Sequence, residues 1–159
     1  KESIPQVSGL DRVLLNEILH PWGVLKKFNF RGSVHPLTFK SSLNCIADME
    51  AVIRNGCDAS GYISASVGGY ITPLERGRAV HCEFDLHCDL NNEQETSKVK
   101  DLWLAASADL INQGAYFDRP YGPWADMVYQ RAGHYTTKLK EIKQELDPQG
   151  ILNPGKLCF

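Results

Sequence analysis

Apolar and polar positions recur along this chain with two periods, and the switches between them outline its elements. From Asp11 to His20 the apolar residues Val13, Leu14, Leu15, Ile18 and Leu19 fall at helical spacing, and Pro21 closes the segment. Residues 24–31 end in alternation, with Phe28 and Phe30 to one side, which predicts a strand. Residues 38–55 predict a helix carrying Leu43, Ile46, Met49 and Ile53 near a 3.6 period, with Gly56 as its stop. Residues 62–72 look strand-like but are broken at Gly68-Gly69, and residues 75–78 read as a tight turn. Residues 79–88 predict the returning strand. Asn91 or Asn92 then caps a long helix with Glu93 and Glu95 in its first turn, where the helix dipole favours acids. Val99, Leu102, Trp103, Ala106 and Leu110 form its buried stripe, and Gly114 ends it. A last helix over residues 134–146 aligns Tyr135, Leu139, Ile142 and Leu146, and Asp147-Pro148 stops it. Long helices around a hairpin of strands predict an α+β fold, an antiparallel sheet with helices packed on one face.

Composition narrows the classes. With 159 residues, 43% of them hydrophobic and 23% charged, the chain can fill one core and is read as a single domain, residues 1–159. Seventeen basic against nineteen acidic residues leave a formal charge of −2, so no basic excess points to nucleic acid or an anionic membrane. No apolar run approaches the ~20 residues of a membrane span. The beginning, Lys-Glu-Ser-Ile-Pro, has neither an initiator Met nor a signal core, which predicts a piece of a larger protein. Five cysteines without a C-x-x-C pair exclude the usual zinc-ribbon and thioredoxin patterns and read as small thiols in the cytoplasm.

Three stretches concentrate chemistry. In VHCEFDLHC, residues 80–88, alternation sets His81, Glu83, Asp85 and His87 on one side and Val80, Cys82, Phe84, Leu86 and Cys88 on the other. Same-face neighbours in a strand stand roughly 6.5–7 Å apart. The row can therefore hold a general base with a partner, a set of metal ligands, or simply a solvated strand face. GAYFDRPYGPWADMVY, residues 114–129, places Arg119 among aromatic and turn-forming residues, as a binding wall or a packed loop. LDPQGILNPGKLCF, residues 146–159, holds two turns separated by Ile151 and Leu152, a tail shaped to lie against something. Neither a Gly-rich phosphate loop after a strand nor a Ser or Cys nucleophile motif is present.

The ending DPQGILNPGK resembles the C-terminal signature of the vanillyl-alcohol oxidase and p-cresol methylhydroxylase superfamily, which includes glycolate oxidase subunits and D-lactate dehydrogenases. GRAVHCEFDLHCD and GAYFDRPYGPWADMVY resemble the parts of that family's C-terminal cap that wall the active site. PWGVLKKFNFR, residues 21–31, resembles the passage from the FAD-binding domain into the cap. The resemblance implies a ferredoxin-like cap of a FAD-dependent oxidoreductase acting on a hydroxy acid such as glycolate or lactate, or on a phenolic alcohol. The FAD-binding domain, which holds most of the cofactor, is expected outside this chain as its partner, beside the small-molecule substrate and an electron-acceptor protein. The implied catalytic residues are His81 or Glu83 for the proton, Arg119 for a carboxylate or phenolate, and Tyr121 for the same oxygen. Asn153 and Lys156 would touch the flavin edge. The phenol-oxidising branch has a Tyr-Arg pair; here Asp118 precedes Arg119, and Tyr116 and Tyr121 are the nearest phenols. The hydroxy-acid branch's Gly-Asp-Gly-Asn-x-His pattern falls on residues 82–87, where only His87 matches. No metal is therefore expected, and the alternative set would be His81, Glu83 and His87. The rival reading is a non-catalytic, cap-like subunit docking on a separate flavoprotein.

Overall fold

The computed structural model describes residues 9–20 and 30–159. Its elements run α1 (Leu10–Leu19), β1 (Ser33–Ser41), α2 (Ile46–Ser60), β2 (Gly68–Leu74), β3 (Ala79–Cys88), α3 (Glu93–Asn112), α4 (Pro123–Arg131) and α5 (Gly133–Leu146). The three strands form an antiparallel sheet in the order β1-β3-β2. An isolated bridge between Lys40 and Tyr116 adds a minimal fourth rung outside β1. The path β-α-β-β-α, closed by that rung, is the split βαβ arrangement expected of a ferredoxin-like layer. The fold is α+β.

The core lies between the sheet and the pair α2 and α3. Leu37 and Phe39 of β1 and Val80, Cys82, Phe84 and Leu86 of β3 meet Met49, Ile53 and Cys57 of α2 and Val99, Leu102, Ala106 and Leu110 of α3. Phe39 stacks on Phe84 and meets Phe117, which in turn packs on Trp124 at 4.8 Å. Trp124 stacks on Trp103 at 4.6 Å, so an aromatic chain joins the sheet to α3 and α4. Indole N–H groups buried here need acceptors. Trp103 donates to the Pro36 carbonyl, and Trp124 donates to the Ser107 hydroxyl.

Several expectations hold in detail. The β3 strand has the expected bounds, Asn92 caps α3 by accepting from the Glu95 N–H, and Gly114 ends the helix region with φ of +92°. Others are corrected. Residues 38–41, read as the start of a helix, belong to β1, and the helix begins at Ile46. Gly56 does not stop α2. The helix continues to Ser60, and Gly61 supplies the left-handed C-cap with φ of +66°. Gly56 instead permits close approach, because a Cβ there would lie 3.1 Å from the Leu102 methyl. Residues 62–67 precede β2, which starts at Gly68. Residues 123–131, taken as loop, form α4, with Pro123 in the first turn where its missing N–H costs nothing. The expected strand over residues 24–31 lies outside the described residues up to residue 29, and Phe30 and Arg31 form a turn.

Both outer strands carry a proline, Pro36 in β1 and Pro73 in β2, whereas central β3 has none. A residue without an N–H is tolerated on an edge and not between two partners. At His87, β2 has already ended, and the Tyr62 hydroxyl takes over its pairing. It accepts from the His87 N–H at 2.9 Å and donates to the His87 carbonyl at 3.0 Å.

Candidate functional site

Helices cover one side of the sheet. On the other side, among the described residues, β3 presents His81, Glu83 and Asp85, all half-buried, while its alternate residues are buried. The register sets Lys40 and Thr72 beside His81, Thr38 and Tyr70 beside Glu83, and Pro36 and Gly68 beside Asp85. Directly paired residues project to the same face. The expected polar row is therefore the centre of a polar sheet face. The Tyr70 ring stands edge-on to His81 at 6.3 Å.

His87 belongs to the row by sequence but not by environment. It is buried, its Nδ1 lies 3.2 Å from the Ser33 carbonyl, and the Phe30 ring abuts it at 5.1 Å. It serves a corner where the Ser33 hydroxyl donates to the Cys88 carbonyl and His35 Nε2 lies 3.5 Å from Cys88 Sγ. Among the described residues no three His, Cys, Asp or Glu side chains gather as metal ligands, so His81, Glu83 and His87 do not converge.

The second locus is the C-terminal tail. Asp147 is buried, and its carboxylate accepts the Ile151 and Leu152 N–H groups, both at 2.9 Å, together with the Lys143 ammonium. Lys143 also donates to the Leu152 carbonyl. The first residue of DPQGILNPGK is thus a knot that folds the tail back over α5. Asn153, at φ of +48°, opens the second turn, and the Lys156 N–H bonds its carbonyl at 3.2 Å. Between tail, α4 and α5 lies a cleft of about 940 Å³ lined by Tyr121, Tyr129, Lys140, Asn153 and Lys156 among others. The structure therefore unites Tyr121 with Asn153 and Lys156. His81, Glu83 and Arg119 do not line that cleft. Arg119 is exposed, one residue beyond Asp118.

Sequence reasoning missed Lys40 and its ties to Tyr116 and Asp118, two residues it had named only as neighbours of Arg119. Lys40 Nζ lies 2.6 Å from Asp118 Oδ2, and this hydrogen bond, ahead of all other causes, holds the Asp118 carboxyl below the ordinary carboxylate range. Lys143 and the Leu152 N–H do the same for Asp147. Burial, then the neighbouring His87, pushes His35 below the ordinary imidazole value of 6.5. These shifts fix the sign of the pH dependence. An imidazole held low when folded takes its proton more readily when unfolded, so stability falls as pH drops below 6.5. The carboxylates contribute fully above about 3.8 and lose their contribution as pH falls through their lower folded values. Urea unfolding between pH 8 and 3 should show both declines, with His35→Gln removing the first and Asp147→Asn reducing the second. A midpoint that rises on acidification below pH 6.5 in the wild type would contradict the His35 assignment.

The molecule is thus an α+β domain with a polar face on the side of the sheet opposite α2 and α3 and a cleft walled by its own tail. The family model of FAD linked oxidases, C-terminal domain, matches residues 125–157, which span most of α4, all of α5 and most of the tail. No curated protein and no solved structure matches the chain.

A dinucleotide cofactor needs a cradle for its phosphates, commonly a glycine-rich turn leading into a helix N-terminus. The two strand-to-helix connections here, residues 42–45 and 89–92, contain no glycine. The first turns of α1, α2, α3 and α4 hold Asp11, Asp48, Glu93 with Glu95, and Asp126, which repel phosphate; α5 has no acid in its first turn but is entered directly from α4 through Ala132 and not from a glycine-rich turn after a strand. The described residues do not fit the cofactor's phosphates. No described helix is long and apolar enough to cross a membrane.

Proposed function

We propose that the chain is the substrate cap of a FAD-dependent oxidoreductase that dehydrogenates a hydroxy acid such as glycolate or lactate, or a phenolic alcohol. The match over residues 125–157 carries this reading, and the polar row of β3, on the face opposite the helices, supports it. The matched family implies a FAD-binding N-terminal domain as partner, and FAD supplies the two-electron acceptor. In this reading His81 takes the substrate hydroxyl proton, with Glu83 beside it on the strand as orienting partner or alternative base. Arg119 pairs two-pronged with a carboxylate or phenolate, Tyr121 bonds the same oxygen, and Asn153 and Lys156 reach the flavin edge from the tail. The five free thiols accord with a cytoplasmic setting.

Since the described residues lack a phosphate cradle, the 159-residue chain expressed alone should be colourless. Stoichiometric flavin absorbance in that preparation would count against the cap reading. The direct test uses the chain together with its FAD-binding domain. Anaerobic glycolate, D-lactate or vanillyl alcohol should bleach the flavin absorbance. A loaded protein that none of these alcohols reduces points to the non-catalytic, docking subunit.

A further inference from the structure

The segment that leads to Arg119 and Tyr121 is fastened to the sheet by buried Phe117 and, in its polar ties, by Lys40. Lys40 exchanges both backbone hydrogen bonds with Tyr116, at 2.8 and 2.9 Å. Its ammonium lies 2.6 Å from Asp118 Oδ2. Between these two ties Phe117 turns inward, 2% exposed, against Phe39 and Trp124. Lys40 is also the direct cross-strand partner of His81, so the two side chains share the polar face of the sheet. The base and the anion-holding group of the proposed reaction belong to different segments, β3 and the stretch after α3. Their separation is set by whatever joins those segments. The ties at Lys40 are the polar part of that joint.

We propose that Lys40 and Asp118 are positioning residues, a clamp that fixes the placement of Arg119 relative to His81. The proposal rests on the reading of His81 and Arg119 given above. Asp118 already occupies the Lys40 ammonium, which argues against Lys40 as a primary anchor for a substrate anion. Misplacing a substrate-holding group by an ångström costs heavily in effective concentration, so a clamp outside the chemistry still affects turnover.

The clamp and a direct substrate contact predict opposite behaviour for Asp118. As a clamp, Asp118→Asn and Lys40→Met each weaken the same joint. Hydrogen exchange of the full chain should then speed up roughly three- to ten-fold at the Tyr116 and Lys40 amides in either variant. The double variant should be no worse than either single one. Lys40→Arg should retain most of the protection, and the α3 amides of Leu102 and Ala106 should not change. In the flavin-loaded protein, KM for glycolate or D-lactate should rise about ten-fold in both variants with a smaller change in kcat, and Lys40→Arg should recover part of it. The clamp is overturned if Asp118→Asn leaves exchange at Tyr116 at the wild-type rate. It is equally overturned if Lys40→Met alone raises KM while Asp118→Asn leaves it unchanged or lowers it, since Lys40 then meets the substrate itself. If none of the alcohols reduces the flavin, the proposed activity fails, and the exchange measurement alone decides the clamp.

Discussion

Replacing His81 with Gln should slow reduction of the flavin by roughly 10²–10⁴-fold, the span of a positioned general base. The side chain stands on the polar sheet face between Lys40 and Thr72, with the Tyr70 ring edge-on to it. Glutamine keeps hydrogen-bonding capacity and shape but cannot take a proton near neutral pH. Flavin content should not change, because the cofactor's phosphates find no cradle in the described residues. Because His81 is only half-buried, its loss should alter the melting temperature little. The companion variant Glu83→Gln separates the two candidates. If Glu83 only orients the imidazole, its loss is the smaller of the two; if Glu83 is the base, the order reverses. Stopped-flow reduction under anaerobic substrate measures both. Less than a ten-fold fall in both variants would remove the β3 row from the chemistry.

The second large effect is expected at Arg119. Truncation to Ala removes a charge-assisted contact of about 1.5–3 kcal/mol, which is roughly ten- to a hundred-fold in kcat/KM. Lys restores the charge without the planar fork, so Arg119→Lys should recover only part of the loss. The guanidinium is exposed, so neither variant should shift the melting temperature by more than a degree or two. Steady-state kinetics beside thermal melts separate the roles. Unchanged kinetics, or a large fall in melting temperature, would make Arg119 structural.

How much of this was legible in the sequence depended on local signals. The β3 strand could be read residue by residue because its alternation of apolar and polar residues is unbroken over the nine positions from Val80 to Cys88. The α3 helix was equally plain, with a capping Asn, acids in its first turn and a glycine at its end. The β1 strand was not. Its inward positions are Ser33, His35, Leu37, Phe39 and Ser41, so only two of the five are apolar, and Pro36 interrupts the run. Both departures come from tertiary context: Ser33 and His35 serve the polar corner around Cys88, and Pro36 is tolerable on an edge strand. Misplacing β1 concealed Lys40, and with it the tie to Asp118. The α4 helix was hidden by its density of Gly, Pro and aromatic residues, although Pro123 is also a normal helix-opening residue. The Asp147 knot had a visible Asp-Pro-x-Gly turn, but its bonds to residues 151 and 152 depend on the tail's path. The apolar stripe of α5 was read correctly in sequence, yet Tyr135, Ile142 and Leu146 are exposed in the chain by itself.

The placement of the two prolines bears on solubility. A three-stranded sheet has two raw margins, each able to recruit a strand from another molecule and seed stacked, fibril-like growth. Pro73 removes one donor from the β2 margin and Pro36 one from the β1 margin, and Tyr116 already occupies the rung beside Lys40. An incoming strand would meet an interrupted ladder on either side. Exchanging both prolines for Val or Thr would suit the local strand geometry while opening both margins. The double variant should therefore form thioflavin-positive aggregates sooner than the parent chain at the same concentration, even where its melting temperature is unchanged.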